Sequence, residues 1–230
     1  MANTTSLKDR LHSLLTNCKA GILDFDGLLA DSEPFHYRAY NEVFKRYGHT
    51  LNQEEYWVEW TSKGGGIAGE IERHNLKLDV DPVELRKQKF EVYSRFCKSG
   101  DITLFPLARN MVEALSANYK LAIASGSWVR DICHILKNAN ALSLFPVILG
   151  KESAPREKPN PDIFLNAADE LGCAPVECFV LEDALKGLYA AREAGMPCII
   201  LRNALNRNID FEGAELIFES LGDFVCALKP

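Results

Sequence analysis

Two aspartates, Asp24 and Asp26, close the apolar run Gly21-Ile22-Leu23, and Gly27 follows them at once. Residues two apart on an extended chain point the same way, so both carboxylates can enter one pocket. Further along, Leu121–Ala124 runs into Ser125-Gly126-Ser127, and Phe179–Leu181 runs into Glu182-Asp183. The loop KESAPREKPNP carries Lys158. Clustered carboxylates repel one another unless a cation lies among them. Hard oxygen donors of this kind favour Mg²⁺, which keeps waters and accepts substrate phosphate oxygens. A hydroxyl at Ser125 and an ammonium at Lys158 can hold further phosphate oxygens, and Gly27 lets the backbone bend sharply beside them. Singly, these residues have plainer readings as turn, N-cap, helix-dipole acid and surface lysine. Their succession, each placed after an apolar run, selects phosphoryl chemistry.

The elements that must position them follow from the hydrophobic pattern. Residues 19–25, 119–125, 145–150, 178–182, 197–201 and 214–218 are short, mostly apolar runs, expected as strands covered on both faces. Helical patterns lie between them, at 160–172 with Gly172 as a stop and at 184–195 ending in Gly195. This alternation predicts an α/β fold with a doubly wound parallel sheet, whose ligands bind at the carboxyl ends of the strands. From Pro34 to about Ile102 the rhythm breaks. Residues 34–48 and 81–100 read as amphipathic helices, the second with Pro82 near its start and Gly100 past its end. An all-helical insert over the strand ends can act as a lid.

Composition excludes several classes. The chain of 230 residues carries a net charge of -6 and no basic stripe, which argues against a nucleic-acid partner. No apolar stretch reaches a membrane span. The first seventeen residues place charges inside the would-be apolar core of a leader, and read instead as a surface helix capped by Ser6 with Asp9. Seven cysteines, an odd number without a CxxC pair, are expected as free thiols in a reducing, cytoplasmic setting.

The segments DFDGLLADSE, ASGS, KPNPDIF and VLEDALKGLYAAREAG together resemble the haloacid-dehalogenase-like superfamily, in its branch of phosphoglycolate-phosphatase-like enzymes and beta-phosphoglucomutase. The resemblance implies a Rossmann-like core of residues 1–33 and 102–230 with a helical cap of 34–101. It implies Asp24 as the nucleophile that forms an aspartyl-phosphate, and Asp26 as general acid and then base. It implies Mg²⁺ held by the Asp24 carboxylate, the Asp26 carbonyl and Asp183, with Glu182 a further ligand. Ser125 with Gly126 would hold the phosphoryl group, and Lys158 would steady the charge on Asp24. The implied partner is a small phosphorylated metabolite.

Phosphatase and mutase remain the two close readings, with a non-catalytic binding protein on the same fold a distant third. His36 matches a histidine that the mutase uses in acid–base switching and cap closure; otherwise it is a histidine facing its cap neighbours. In the segment 60–73, an arginine that grips a second phosphate in the mutase is missing. Lys63 could supply a charge there, and Gly64-Gly65-Gly66 is either an anion nest or a bend. Tyr56 and Trp60, four apart, are expected as cap core. Leu107 stands where the family has a hinge glycine.

Overall fold

The structure, a computed structural model, describes residues 6–62 and 64–229. The chain opens with α1 (Leu7–Leu15), started by the expected cap: Asp9 N–H donates to Ser6 Oγ at 3.1 Å, and Ser6 N–H donates back to the Asp9 carboxylate. β1 (Ala20–Leu23) leads into α2 (Glu33–Arg46), the single turn α3 (Gln53–Glu55), a π-helix (Tyr56–Ser62), α4 (Gly66–His74) and α5 (Pro82–Ser99). Then follow α6 (Ala108–Ser116), β2 (Lys120–Ala124), α7 (Val129–Asn138), β3 (Val147–Leu149), α8 (Asp162–Glu170), β4 (Cys178–Glu182), α9 (Leu185–Glu193), β5 (Cys198–Leu201), β6 (Leu216–Phe218) and α10 (Leu221–Leu228).

All six expected strands form one parallel sheet in the order β3-β2-β1-β4-β5-β6. Period-two alternation splits its side chains between two cores. Leu23, Ile123, Leu181 and Ile199 face α1, α6, α7 and α10, while Ile22, Ala122, Val180 and Ile200 face α8 and α9. The sheet is thus a two-faced α/β layer, and β1 sits where the strand order reverses, the place such folds use for ligands.

Between β1 and β2 the described residues form helices and isolated bridges but no strand, so the cap is helical as expected. Asp81 caps α5 by accepting from Val83 N–H at 2.8 Å, and Gly100 ends it at φ 86°. Tyr56 and Trp60 are buried with ring centroids 5.1 Å apart, which makes them cap core. Gly64 and Gly65 N–H groups are spent on the Trp60 and Glu59 carbonyls, so the glycine run is a bend and not an anion nest. Lys63, expected at the substrate, lies outside the described residues. All seven cysteines are free thiols. Among the described residues no helix is long and apolar enough to cross a membrane.

Leu107 precedes α6 in the left-handed conformation, φ 69° and ψ -4°, with its side chain 46 % exposed. A branched side chain there costs roughly 1–2 kcal/mol. Leu107→Gly is therefore expected to stabilise the protein by about 0.5–1 kcal/mol, after the extra freedom of glycine in the unfolded chain is subtracted. Urea unfolding of both proteins checks this, and a lower midpoint in the variant would refute the strain.

Candidate active site

The sheet ladder continues one residue past two strands and so fixes the site. Asp24 N–H donates to the Leu181 carbonyl at 3.0 Å, and Ser125 N–H donates to the Leu149 carbonyl at 3.0 Å. Asp24, Ser125 and the Glu182-Asp183 pair thus stand side by side at the carboxyl edge. Lys158, brought in by the loop after β3, reaches under them. Its ammonium donates to Asp24 Oδ1 at 2.5 Å, to Glu182 Oε1 at 2.7 Å and to the Ala124 carbonyl at 2.9 Å. The side chain is 5 % exposed, and its two anions hold its pKa above the ordinary lysine value despite burial.

Glu182 is fully committed. Besides Lys158, it accepts from the N–H groups of Asp183 (2.9 Å) and Ala184 (3.0 Å) through Oε2. Its room comes from α9, where a Cβ on Gly187 would overlap the Glu182 carboxylate. Gly27, at φ 83°, is required for a similar reason: a Cβ there would strike Asp183 Oδ2. Asp183 is itself oriented by Asn203, which donates to Oδ2 at 2.8 Å and to the Gly27 carbonyl at 2.9 Å. Asn206 secures the Asp183 carbonyl.

Asp26 lies in a different environment from Asp24. It accepts from Ser32 Oγ (2.6 Å), Tyr93 OH (3.1 Å) and Ser125 Oγ (2.9 Å), and its Oδ1 lies 3.2 Å from His36 Nε2. His36 stacks on Tyr93, and its Nδ1 is 2.7 Å from the buried Lys89 ammonium. Burial opposes the Asp26 charge, but the hydrogen bond and charge of His36 and the hydroxyls of Ser32 and Ser127 hold its pKa far below the usual carboxylate value. Burial pushes Lys89 down to about 7. Two cap helices therefore supply half of the shell around one core carboxylate. The cap is closed on the core at its far side too, where Arg86 donates to both oxygens of Glu157 and Phe90 meets Trp128 edge-on.

Asp24, Glu182 and Asp183 bring their carboxylate oxygens within 4.8 Å of one another. Burial first, then the Glu182 charge, pushes Asp24 up to about 7, and the same two causes push Asp183 well above its ordinary value. The second oxygen of Asp24 and Oδ1 of Asp183 take no hydrogen bond from any described residue. A group of buried oxygens with too much negative charge and two vacant lone-pair directions is what a hard divalent cation fits.

The structure gathers Asp24, Asp26, Ser125, Lys158, Glu182, Asp183 and His36, all read from sequence. Gly126 joins them only as the exposed backbone of the turn, with open space beside it. Ser32, Lys89, Tyr93, Asn203 and Asn206 escaped the sequence reading. Asn203 lies two residues past β5, so the strand-end rule could have found it. Lys89 and Tyr93, one turn apart on α5, carry no local signal of the long-range contact they make.

A family model described as haloacid dehalogenase-like hydrolase matches residues 22–201. The chain belongs to the haloacid dehalogenase-like hydrolase family. Protein CbbY of Cereibacter sphaeroides is 33% identical over 214 residues, covering 89% of this chain and 93% of that one. Fructose-1-phosphate phosphatase YqaB of Escherichia coli is 30% identical over 181 residues, covering 79% of this chain and 95% of its own length. A crystal structure of a CbbY mutant from Rhodobacter sphaeroides with xylulose 1,5-bisphosphate superposes with a TM-score of 0.78 at 28% identity, covering 93% of this chain and 100% of that one. The expected family, its α/β fold and an enzyme that hydrolyses phosphoric monoesters are borne out by these matches.

Proposed function

We propose that this family member is a Mg²⁺-dependent phosphatase acting on a small phosphorylated metabolite, a sugar phosphate or similar phosphomonoester, through an aspartyl-phosphate on Asp24. The observation that carries the reading is the convergence of Asp24 and Asp26, Lys158, and Asp183 from three separate segments onto one edge of the sheet. The relatives that act on or bind phosphorylated sugars support the substrate class.

Asp24 attacks phosphorus through one of its carboxylate oxygens. The Asp24 O–P bond forms as the bond to the leaving oxygen breaks, and Asp26 in its protonated form gives that oxygen its proton. The ionised Asp26 then takes a proton from water as water attacks phosphorus and releases Asp24. Lys89, His36 and Asp26 form a hydrogen-bonded run that can bring the acid its proton before the first step, and the proton taken from water restores it for the next cycle. Ser125 Oγ and the turn behind it lie where the phosphoryl oxygens must rest, and Lys158 offsets charge on Asp24 and on the transferring group. Mg²⁺ would be held by the Asp24 carboxylate, Asp183 and the Asp26 carbonyl, and would neutralise phosphoryl oxygens. We assign Glu182 to holding Lys158 and not to the metal, because both its oxygens are engaged.

Phosphate release from a panel of sugar phosphates tests this. Activity is expected to fall to background with EDTA and to return with Mg²⁺; full activity in chelator would end the metal assignment. Metal removal should also change the response of stability to pH. In metal-free protein the folded pKa of Asp24, about 7, lies above its unfolded value. The folded state then keeps a proton that the unfolded chain sheds, so stability falls as pH rises from about 4 to 7. Melting in EDTA should show that decline between about pH 5 and 7, and saturating Mg²⁺ should flatten it. A melting temperature in EDTA that rises across this range would contradict the sign.

The contact of His36 with Asp26 keeps a sugar-phosphate mutase as second reading. A mutase would convert glucose 1-phosphate to an isomer faster than it released phosphate, and product analysis separates the two.

A further inference from the structure

A second cluster of ligating side chains lies in the cap, apart from the hydrolytic residues. Glu70, on α4, is 2 % exposed. Its Oε2 is anchored by the Trp60 indole N–H at 3.0 Å and by Arg73 at 2.5 Å. Its Oε1 faces two imidazole nitrogens, His49 Nε2 at 2.7 Å and His74 Nε2 at 3.5 Å. His74 Nε2 also lies 3.0 Å from Glu55 Oε1, the oxygen that Arg73 holds at 2.9 Å, and 3.2 Å from Oε2.

Two features set this arrangement apart from an ordinary ion-pair network. One is the edge lengths. Metal–ligand bonds of 2.0–2.2 Å in a tetrahedron place the ligand atoms roughly 3.3 Å apart. Glu70 Oε1 lies 2.7 Å from His49 Nε2 and 3.5 Å from His74 Nε2, which brackets that value, and the ligand atoms of His49, Glu70 and His74 all lie within 4.8 Å of one another. The other is the division of labour within the Glu70 carboxylate. One oxygen is fixed by Arg73 and Trp60, and the remaining oxygen points at the two imidazoles. Outer hydrogen bonds that orient ligating groups in this way are a recurring property of protein metal sites. The mixed nitrogen and oxygen set suits Zn²⁺ and not Mg²⁺, which avoids imidazole. His74, at the surface, gives an ion a way in.

We propose that His49, Glu70 and His74 form a zinc site that fastens the segment after α2 to α4. The site is structural and independent of the hydrolytic reaction. Its ligands come from two separate stretches of the cap, so an ion there crosslinks the cap without touching substrate.

The test uses the full chain, stripped with chelator and then titrated with Zn²⁺ in excess Mg²⁺, which occupies the acidic hydrolytic site. One zinc per chain is expected. At about a hundredfold excess over the dissociation constant, the melting temperature should rise by roughly 5–10 °C. X-ray absorption of the loaded wild-type protein should show two imidazole ligands, a readout that needs no variant. His49→Gln and His74→Gln should each weaken zinc binding by about a hundredfold or more, since even outer-shell changes cost 10–100-fold. No retained zinc, a spectrum with oxygen ligands alone, or unchanged affinity in both variants would show that the cluster is an ion-pair network only.

Discussion

Asp24→Asn is expected to lower turnover by about 10⁵-fold or more, because the amide cannot form the acyl-phosphate and no neighbouring group can take its place. Stability should change little, by about 1 kcal/mol or less. Asp24 is buried beside Glu182, and its charge is disfavoured to the point that its pKa reaches about 7. The isosteric amide removes that repulsion, while Lys158 keeps Glu182 and the Ala124 carbonyl. Inorganic phosphate or a substrate analogue should still bind, since Ser125 and Lys158 stay in place. Single-turnover kinetics and calorimetry with phosphate check both halves. Residual activity within about tenfold of wild type would remove Asp24 from the nucleophile's role.

The second large effect concerns Lys158. Lys158→Met should lower kcat by about 10²–10⁴-fold, through loss of charge stabilisation on Asp24 and on the transferring group. It should also destabilise the fold by about 3–5 kcal/mol, because it leaves two buried carboxylates without their cation. These contributions can be separated. Glu182→Gln in the Lys158→Met background removes one of the stranded charges. The double variant should recover much of the stability and none of the rate. If rate returned together with stability, Lys158 would be a folding element and not part of the chemistry.

The core fold was legible because parallel strands buried on both faces leave unbroken apolar runs, and Ala20–Leu23, Lys120–Ala124 and Cys178–Glu182 fall inside the runs expected. The acidic edge was legible by the same logic, since a polar residue directly after such a run has few places to go but the rim. Asp24, Ser125 and Asp183 all follow that rule. The cap's share was not legible. Lys89 and Tyr93 lie on the buried face of α5, and nothing in that helix says that this face meets Asp26 more than sixty residues earlier. His36 carried an ambiguous signal for the same reason: its role depends on a contact with Lys89 that only docking of α2 on α5 creates. Leu107 shows the limit from the other side. Its place before α6, where the family has a glycine, stands out in the sequence, but that a leucine is held at φ 69° follows from the surrounding turn and not from any local preference.

Gly187 has a reach that its place on an outer helix conceals. Because the Glu182 carboxylate occupies the space of the missing methyl group, any larger residue at 187 would evict that anion from its seat. Lys158 would then keep only Asp24 and the Ala124 carbonyl as acceptors, and its charge would draw more strongly on the Asp24 carboxylate. The permitted vocabulary at a position with no substrate contact is thereby written by the charge state of the nucleophile, two hydrogen bonds away.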